Sequence, residues 1–132
     1  MNSIAGCVKC RPHRLNGKVA QVCWGLTKGV AYLHKFYIAQ RNIKPENLVV
    51  DRGFCLKIID FELAMKVKGE DEVVNDHCGT KGWAAPEIEE KLMYSPIKAD
   101  RWSSGQVLLY LLDRFREEGH GSEYDREEAN HT

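Results

Sequence analysis

The chain has 132 residues, of which 43% are hydrophobic and 29% are charged, and its formal net charge at pH 7 is zero. This length allows one domain with a small core, and the composition is typical of a soluble globular protein. The longest strongly apolar run, residues 107–112, is too short to span a bilayer, and the first ten residues lack the apolar segment of a signal peptide. We therefore expect an intracellular protein, cytoplasmic or nuclear, without a membrane partner.

The five cysteines are scattered along the chain, a pattern that favours reduced thiols over a disulfide framework. Cys7, Cys10 and His13 have the spacing of metal ligands, but a structural zinc site needs a second close pair, which the sequence does not have. The alternative, a frayed N-terminal segment, is the one we expect.

The charges are unevenly distributed along the sequence. No Asp or Glu occurs before Glu46, whereas eight Lys or Arg residues occur through Lys44. A basic half can attract nucleic acid or phosphate. Because these basic residues are spread singly, without aromatic residues interleaved among them, we expect a solvated face and no nucleic-acid partner.

The first predicted elements are a helix and a β-hairpin. Residues 19–34 carry an apolar stripe at helical spacing and predict a helix. Two β-prone runs, residues 48–50 and 54–59, are separated by an Asp-Arg-Gly turn and predict a hairpin.

The second half of the chain is predicted to be a loop followed by two helices. Residues 62–82 indicate an exposed loop, and "APEIEEKLM" can begin a helix with Pro86 in its first turn. Residues 100–112 predict a longer helix that is buried, because its end is apolar on every side. The expected organisation is a flexible segment at 1–16, a folded domain at 17–112 and a charged, disordered tail at 113–132.

Four segments in order resemble the large C-terminal lobe of eukaryotic protein kinases. "GVAYLHKFYIAQRNIKPENLVV" resembles a helix, the catalytic loop and the following strand, and "LKIIDFELA" resembles the metal-binding turn. "CGTKGWAAPEI" resembles the substrate-docking loop, and "YSPIKADRWSSGQVLLYLL" resembles the buried central helix. The resemblance implies an α+β fold, mostly helical with one β-hairpin, of Ser/Thr kinase ancestry. It also implies that the small N-terminal lobe is absent, since no Gly-rich phosphate loop or strand lysine precedes the first segment.

The resemblance implies binding roles for several residues. Asn47 and Asp60 match the two Mg²⁺ ligands of the family, and Lys44 matches the lysine that approaches the transferred phosphate, so these three residues are the expected contacts to ATP and Mg²⁺. The alternative is that Asn47 only caps the loop and Asp60 only ends a strand.

Three further positions match supporting residues of the family. Thr80 lies in the segment that resembles the substrate-docking loop, and Glu87 belongs to its Ala-Pro-Glu end. Asp100 matches the helix aspartate that holds the backbone of the catalytic loop.

Asn42 occupies the position of the catalytic aspartate, between Arg41 and Lys44 in the segment that resembles the catalytic loop, and Gln40 replaces the histidine that usually precedes Arg41. A carboxylate, with a reference pKa of about 3.9, can accept a proton, whereas an amide has no comparable basicity. Losing a general base typically costs about 10²–10⁴-fold in rate. We therefore expect catalysis to be impaired, although the amide can still orient a hydroxyl.

Two further departures occur after the metal-binding turn. Glu62 replaces a glycine, which predicts altered backbone geometry or repulsion of a nucleotide, with additional metal ligation as the alternative. Residues 63–77 contain no Ser, Thr or Tyr to phosphorylate. One hypothesis is that Arg41 pairs, in place of a phosphate, with Glu70, Asp71 and Glu72. The alternative is that these three residues form a solvated acidic turn.

These residues lead to three expectations of function. The first is a catalytically impaired, kinase-derived module that binds a protein partner or acts as a scaffold. The second is a residual ATP-dependent protein kinase acting on Ser or Thr when an N-terminal lobe is supplied, and the third is a truncated remnant. The sequence names neither the partner nor the oligomeric state.

Overall fold

The computed structural model describes residues 2–115. Its helices and strands are, in chain order, β1 (Asn2–Ser3), α1 (Ile4–Cys10), α2 (Val19–Lys35), β2 (Ile38–Ala39), β3 (Leu48–Val50), β4 (Leu56–Ile58), β5 (Met65–Lys66), α3 (Pro86–Glu89) and α4 (Pro96–Phe115). Short 3₁₀ turns occupy Pro12–Leu15 and Pro45–Asn47. Within this part of the chain, no helix has the length and apolar character needed to cross a membrane.

The two long helices, α2 and α4, pack against each other at the centre of the fold. Leu26 of α2 and Val107 of α4 are fully buried in the same apolar cluster. The helices predicted at residues 19–34 and 100–112 are confirmed, and both are longer than expected. The prediction that the second of them is buried on every side is wrong, because Leu109 and Leu112 are 54% and 52% exposed. α4 begins four residues early because Pro96 fits the first turn of a helix, a position that requires no backbone N–H donor.

The β3–β4 hairpin is confirmed, with Val49 paired to Lys57 in an antiparallel register. The prediction of one hairpin was nevertheless incomplete. β1 pairs with the other edge of β3, giving the order β1-β3-β4, and β2 pairs with β5 in a separate two-stranded sheet. Strands of two residues are too short to produce an alternating pattern, so the sequence did not indicate them.

Two glycines allow α2 to lie close to the hairpin. A Cβ atom at Gly25 would lie 3.1 Å from Leu56 Cβ, and one at Gly29 would lie 3.2 Å from Ile58 Cδ1. Glycine inside a helix costs about 1 kcal/mol relative to alanine. The contact between α2 and β4 is the structural reason for both glycines.

The N-terminal segment is folded, so the expectation of a loose segment at residues 1–16 is wrong for the residues described. Ser3 caps α1 by accepting a hydrogen bond from the N–H of Gly6 at 3.0 Å. Ile4 and Leu15 are fully buried in the main apolar cluster. α1 has seven residues, which is too few to show sustained periodicity in the sequence.

The predicted tail begins inside α4. Residues 113–115 are helical, and Phe115 is buried against the main cluster, so these residues are not disordered. The remainder of the predicted tail, residues 116–132, lies outside the described residues.

Replacing Ile4 with Ala tests whether α1 is part of the core. Because Ile4 is fully buried, we expect the free energy of unfolding to fall by about 2–5 kcal/mol, measured by urea denaturation. Lys9→Ala, at an exposed position of the same helix, is the matched control and should change it by less than about 0.5 kcal/mol. Equal effects of the two substitutions would contradict the packing of α1.

Candidate functional site

Asp100, near the start of α4, holds the loop that follows β2. Its carboxylate is 1% exposed. Oδ2 accepts the backbone N–H of Gln40 at 2.8 Å, and Oδ1 accepts the backbone N–H of Arg41 at 2.9 Å. The His34 Nε2 atom lies 2.9 Å from Oδ2. Hydrogen bonds to a charged acceptor are stronger than neutral ones, so Asp100 fixes where the loop starts.

Gln40 joins the loop to the turn after β4. Its side chain is fully buried. Oε1 accepts the backbone N–H of Asn42 at 2.7 Å, and Nε2 donates to the carbonyls of Ile59 at 3.0 Å and Asp60 at 2.8 Å. In the sequence, Gln40 is evident only as a replacement for histidine. The hydrogen-bonding capacity of an amide was the available signal, but its partners are distant in sequence.

The backbone of the site is unusual at Arg41 and Asp60, where φ is 68° and 64°. A left-handed conformation costs a non-glycine residue about 1–2 kcal/mol. Asp100 and Gln40 bind the backbone at these positions, and such bonds help to hold the strained conformations.

Asn42 contacts the segment that contains Thr80. The Thr80 hydroxyl donates to Asn42 Oδ1 at 2.7 Å. Gly79 has a φ of 123°, and a Cβ atom there would lie 3.3 Å from the Arg41 carbonyl oxygen. The structure therefore brings Asn42 and Thr80 together, and the glycine before Thr80 permits that close approach.

Asn47 and Asp60 lie at adjoining ends of the hairpin, where the N–H of Ile59 donates to the Asn47 carbonyl at 2.9 Å. Asn47 Nδ2 donates to the Asn42 carbonyl at 2.8 Å, so its Oδ1 is the side-chain atom left for a ligand. Asp60 is exposed, and its Oδ1 accepts the N–H of Glu62 at 3.3 Å. Mg²⁺ commonly takes one or two protein oxygens together with phosphate oxygens and water. One amide oxygen and one carboxylate therefore fit Mg²⁺.

Residues 2–115 contain no group of three or more His, Cys, Asp or Glu side chains arranged to hold a metal ion. A metal at Asn47 and Asp60 would therefore need further oxygen ligands from a bound phosphate or from water.

Glu62 has an ordinary backbone conformation for a non-glycine residue. The non-glycine residues with positive φ in residues 2–115 are Tyr37, Arg41, Phe54, Asp60 and Lys91, and Glu62 is not among them. The left-handed position of this turn is therefore Asp60. What Glu62 adds is an exposed negative charge beside Asp60.

Lys44 and Asn42 flank a buried residue of the loop. Lys44 is extended, with φ −159° and ψ 162°, and Ile43 between them is 1% exposed. Lys44 and Asn42 themselves are both half-buried.

Glu87 lies in the first turn of α3, at some distance along the chain from the loop. Within residues 2–115 its carboxylate forms no ion pair. The structure therefore shows its position but no partner for its charge.

Arg41 connects three segments through its guanidinium group. Nε donates to the Leu63 carbonyl at 2.8 Å, and Nη1 donates to Asp76 Oδ2 at 3.1 Å and to the Tyr94 hydroxyl at 3.2 Å. The Tyr94 hydroxyl in turn donates to the Asp76 carbonyl at 2.6 Å. Burial lowers the pKa of Arg41, but the hydrogen bonds to Tyr94 and Asp76 oppose it and leave the pKa raised.

None of the three acidic residues predicted to pair with Arg41 bonds to it, so that hypothesis is wrong. Two of the three have other partners. Glu70 pairs with Arg101 at 2.6 Å, and Glu72 accepts the backbone N–H of Lys68 at 2.7 Å. A β-bridge between Val74 and Tyr94 brings the later part of the loop, including Asp76, next to Arg41. The sequence did not indicate this long-range bridge.

Arg41→Ala should release the loop between Leu63 and Asp76. The variant loses contacts to both ends of the loop, so we expect trypsin to cleave after Lys66 or Lys68 about tenfold faster, the factor that corresponds to about 1.4 kcal/mol. Asp76→Ala should have a smaller effect, because an exposed ion pair contributes about 0.2–1 kcal/mol. Asp71→Ala is the control and should leave cleavage unchanged. An Arg41→Ala loop cleaved at the normal rate would contradict the contacts described.

Asp100→Asn should destabilise the whole fold. The amide nitrogen cannot accept hydrogen bonds from backbone N–H groups, so we expect a loss of about 3 kcal/mol in the free energy of unfolding. Asp113→Asn, at an exposed position of the same helix, provides the control in urea denaturation. If both variants unfold at the same urea concentration, Asp100 does not hold the loop.

Comparison with known proteins places these features in a family. A model described as "Protein kinase domain" matches residues 9–130. Serine/threonine-protein kinase grp of Drosophila melanogaster is 40% identical over 89 residues, which are 66% of this chain and 17% of that protein. Maternal embryonic leucine zipper kinase of Xenopus laevis is 43% identical over 88 residues, which are 66% of this chain and 13% of that protein. The chain thus spans less than a fifth of the length of these two relatives.

Proposed function

This chain belongs to the protein kinase domain family, and from that premise we propose that it is a catalytically impaired member of Ser/Thr type that acts by binding a protein partner. We further propose that it corresponds to the large C-terminal lobe of the domain. The observation that carries the proposal is the amide of Asn42 at the position of the catalytic carboxylate, with its oxygen accepting the Thr80 hydroxyl at 2.7 Å.

An amide at this position removes proton transfer but keeps the geometry of the loop. Loss of a general base typically slows a reaction by about 10²–10⁴-fold. Asn42 still bonds to Thr80, and Asp100 still holds the preceding backbone. A loop that remains ordered while its acid–base chemistry is lost is suited to holding a protein segment and poorly suited to phosphorylating it.

The residues expected to bind ATP and Mg²⁺ are only partly suited to binding a nucleotide. Asn47 and Asp60 would hold Mg²⁺, and Lys44 would face the phosphates; bound Mg-ATP would supply the phosphoryl group. Glu62 places a further negative charge beside Asp60, which repels a polyanion unless the metal neutralises it. We therefore propose weak nucleotide binding.

An exposed apolar group near α3 supports a protein partner. Val73, Leu92 and Met93 are 52%, 52% and 56% exposed. The antiparallel β-bridge between Val74 and Tyr94 joins the two segments that carry these side chains. Exposed apolar side chains that lie together are common in protein interaction sites.

The second candidate function is a residual protein kinase, in which the retained Lys44, Asn47 and Asp60 position Mg-ATP when an N-terminal lobe is supplied. Chemistry at Asn42 separates the two candidates. If Asn42 limits the reaction, Asn42→Asp supplied with the N-terminal lobe of a related kinase should transfer phosphate from Mg-ATP to a protein substrate at least about 10²-fold faster than the wild type.

The control for this assay is Asn75→Asp, the same chemical change at an exposed position of the loop. A wild-type rate equal to that of Asn42→Asp, with both readily measurable, would overturn the proposed impairment. No transfer by either protein would remove the residual kinase and leave the binding module.

A thermal melt with and without Mg-ATP tests the nucleotide separately. A ligand at about ten times its dissociation constant adds roughly 1.4 kcal/mol and moves the midpoint by several degrees. For a module that binds nucleotide weakly, we expect a cooperative melt whose midpoint does not shift at about 1 mM Mg-ATP. This concentration is about the upper end of the KM values that enzymes usually have for their substrates. A shift of several degrees would favour the residual kinase.

A further inference from the structure

We infer that Gln40 is a positioning residue that sets the distance between Asn42 and Asp60 through the hydrogen bonds of its side-chain amide. The inference goes beyond the proposed function, because it concerns how the two positions are held whether or not phosphate is transferred.

The side chain of Gln40 bonds to two separate segments of the backbone. Its Oε1 accepts from Asn42 at 2.7 Å, and its Nε2 donates to the Ile59 and Asp60 carbonyls at 3.0 Å and 2.8 Å. Each bond runs to backbone, so the side chain fixes the course of the chain on both sides. The orientation of the amide is also unambiguous, because an N–H group faces the oxygen and carbonyl groups face the nitrogen.

The bridge that the Gln40 side chain forms between the two backbone segments is buried. Gln40 is fully buried, and its own N–H is taken by Asp100. Water therefore does not replace the side-chain bonds readily, and a buried donor or acceptor without a partner costs about 1–3 kcal/mol. The spacing between Asn42 and Asp60 consequently depends on this one side chain.

Few side chains have the hydrogen-bonding groups that this bridge requires. The bridge needs one acceptor and two donors on the same terminal group, which an amide has. A neutral imidazole has one of each, and a carboxylate has no donor when it is ionised.

Amide hydrogen exchange in the full chain measures the positioning itself. In Gln40→Met, which keeps the length of the side chain but none of its hydrogen bonds, the Asn42 amide should exchange about tenfold faster than in the wild type. The amide of Leu111, in the core of α4, reports on global stability and should change less. Equal acceleration at Asn42 and Leu111 would mean that Gln40 only supports the fold, and no acceleration at Asn42 would overturn the bridge.

If Gln40→Met does not fold, Gln40→Asn gives the same measurement, because it keeps the amide on a side chain that is one methylene shorter. The Asn42 amide should again exchange faster than in the wild type, and the amide of Leu111 should change less. Neither measurement uses nucleotide or phosphate transfer, so their failure is separate from a failure of the proposed function.

Discussion

A buried negative charge near the start of α4 holds the loop to the rest of the molecule. Asp100 has almost no contact with water, and it accepts the first two backbone N–H groups after β2. A buried carboxylate is tolerated only where donors compensate for its lost hydration. The apolar packing of α4 against α2 fixes the carboxylate, and the carboxylate then fixes Gln40 and Arg41. The loop is thereby placed by the packing of the core.

Gln40 and Arg41 extend the hydrogen-bond network in two different directions. Gln40 extends inward to the turn at Asp60, whereas Arg41 extends outward to Asp76 and Tyr94. The left-handed backbone of Arg41 helps to separate these directions, because it turns the chain between two neighbouring side chains. One carboxylate therefore organises both the inner turn and the outer loop without a phosphate group.

The sequence predicted those parts of the fold that depend on local patterns. The stripe of α2 and the turn of the hairpin are local, and both were identified from spacing and turn residues. α1 was missed because it is short and obtains its stability from burial of Ile4 in a distant cluster. In the site, family resemblance indicated the positions but not the partners. The ion pair of Arg41 with Asp76 depends on a bridge between segments about twenty residues apart, which no local pattern encodes.

The two glycines of α2 have a consequence for how the site can vary. Each is a place where the helix touches β4 without an intervening side chain. A larger residue at Gly25 would press on Leu56 Cβ, which is fixed to the backbone of β4, whereas one at Gly29 would meet the flexible end of the Ile58 side chain. Because β4 leads into the turn that contains Asp60, a shift of β4 would be transmitted to that residue. A substitution at Gly25 would therefore be felt at a site that this residue does not contact.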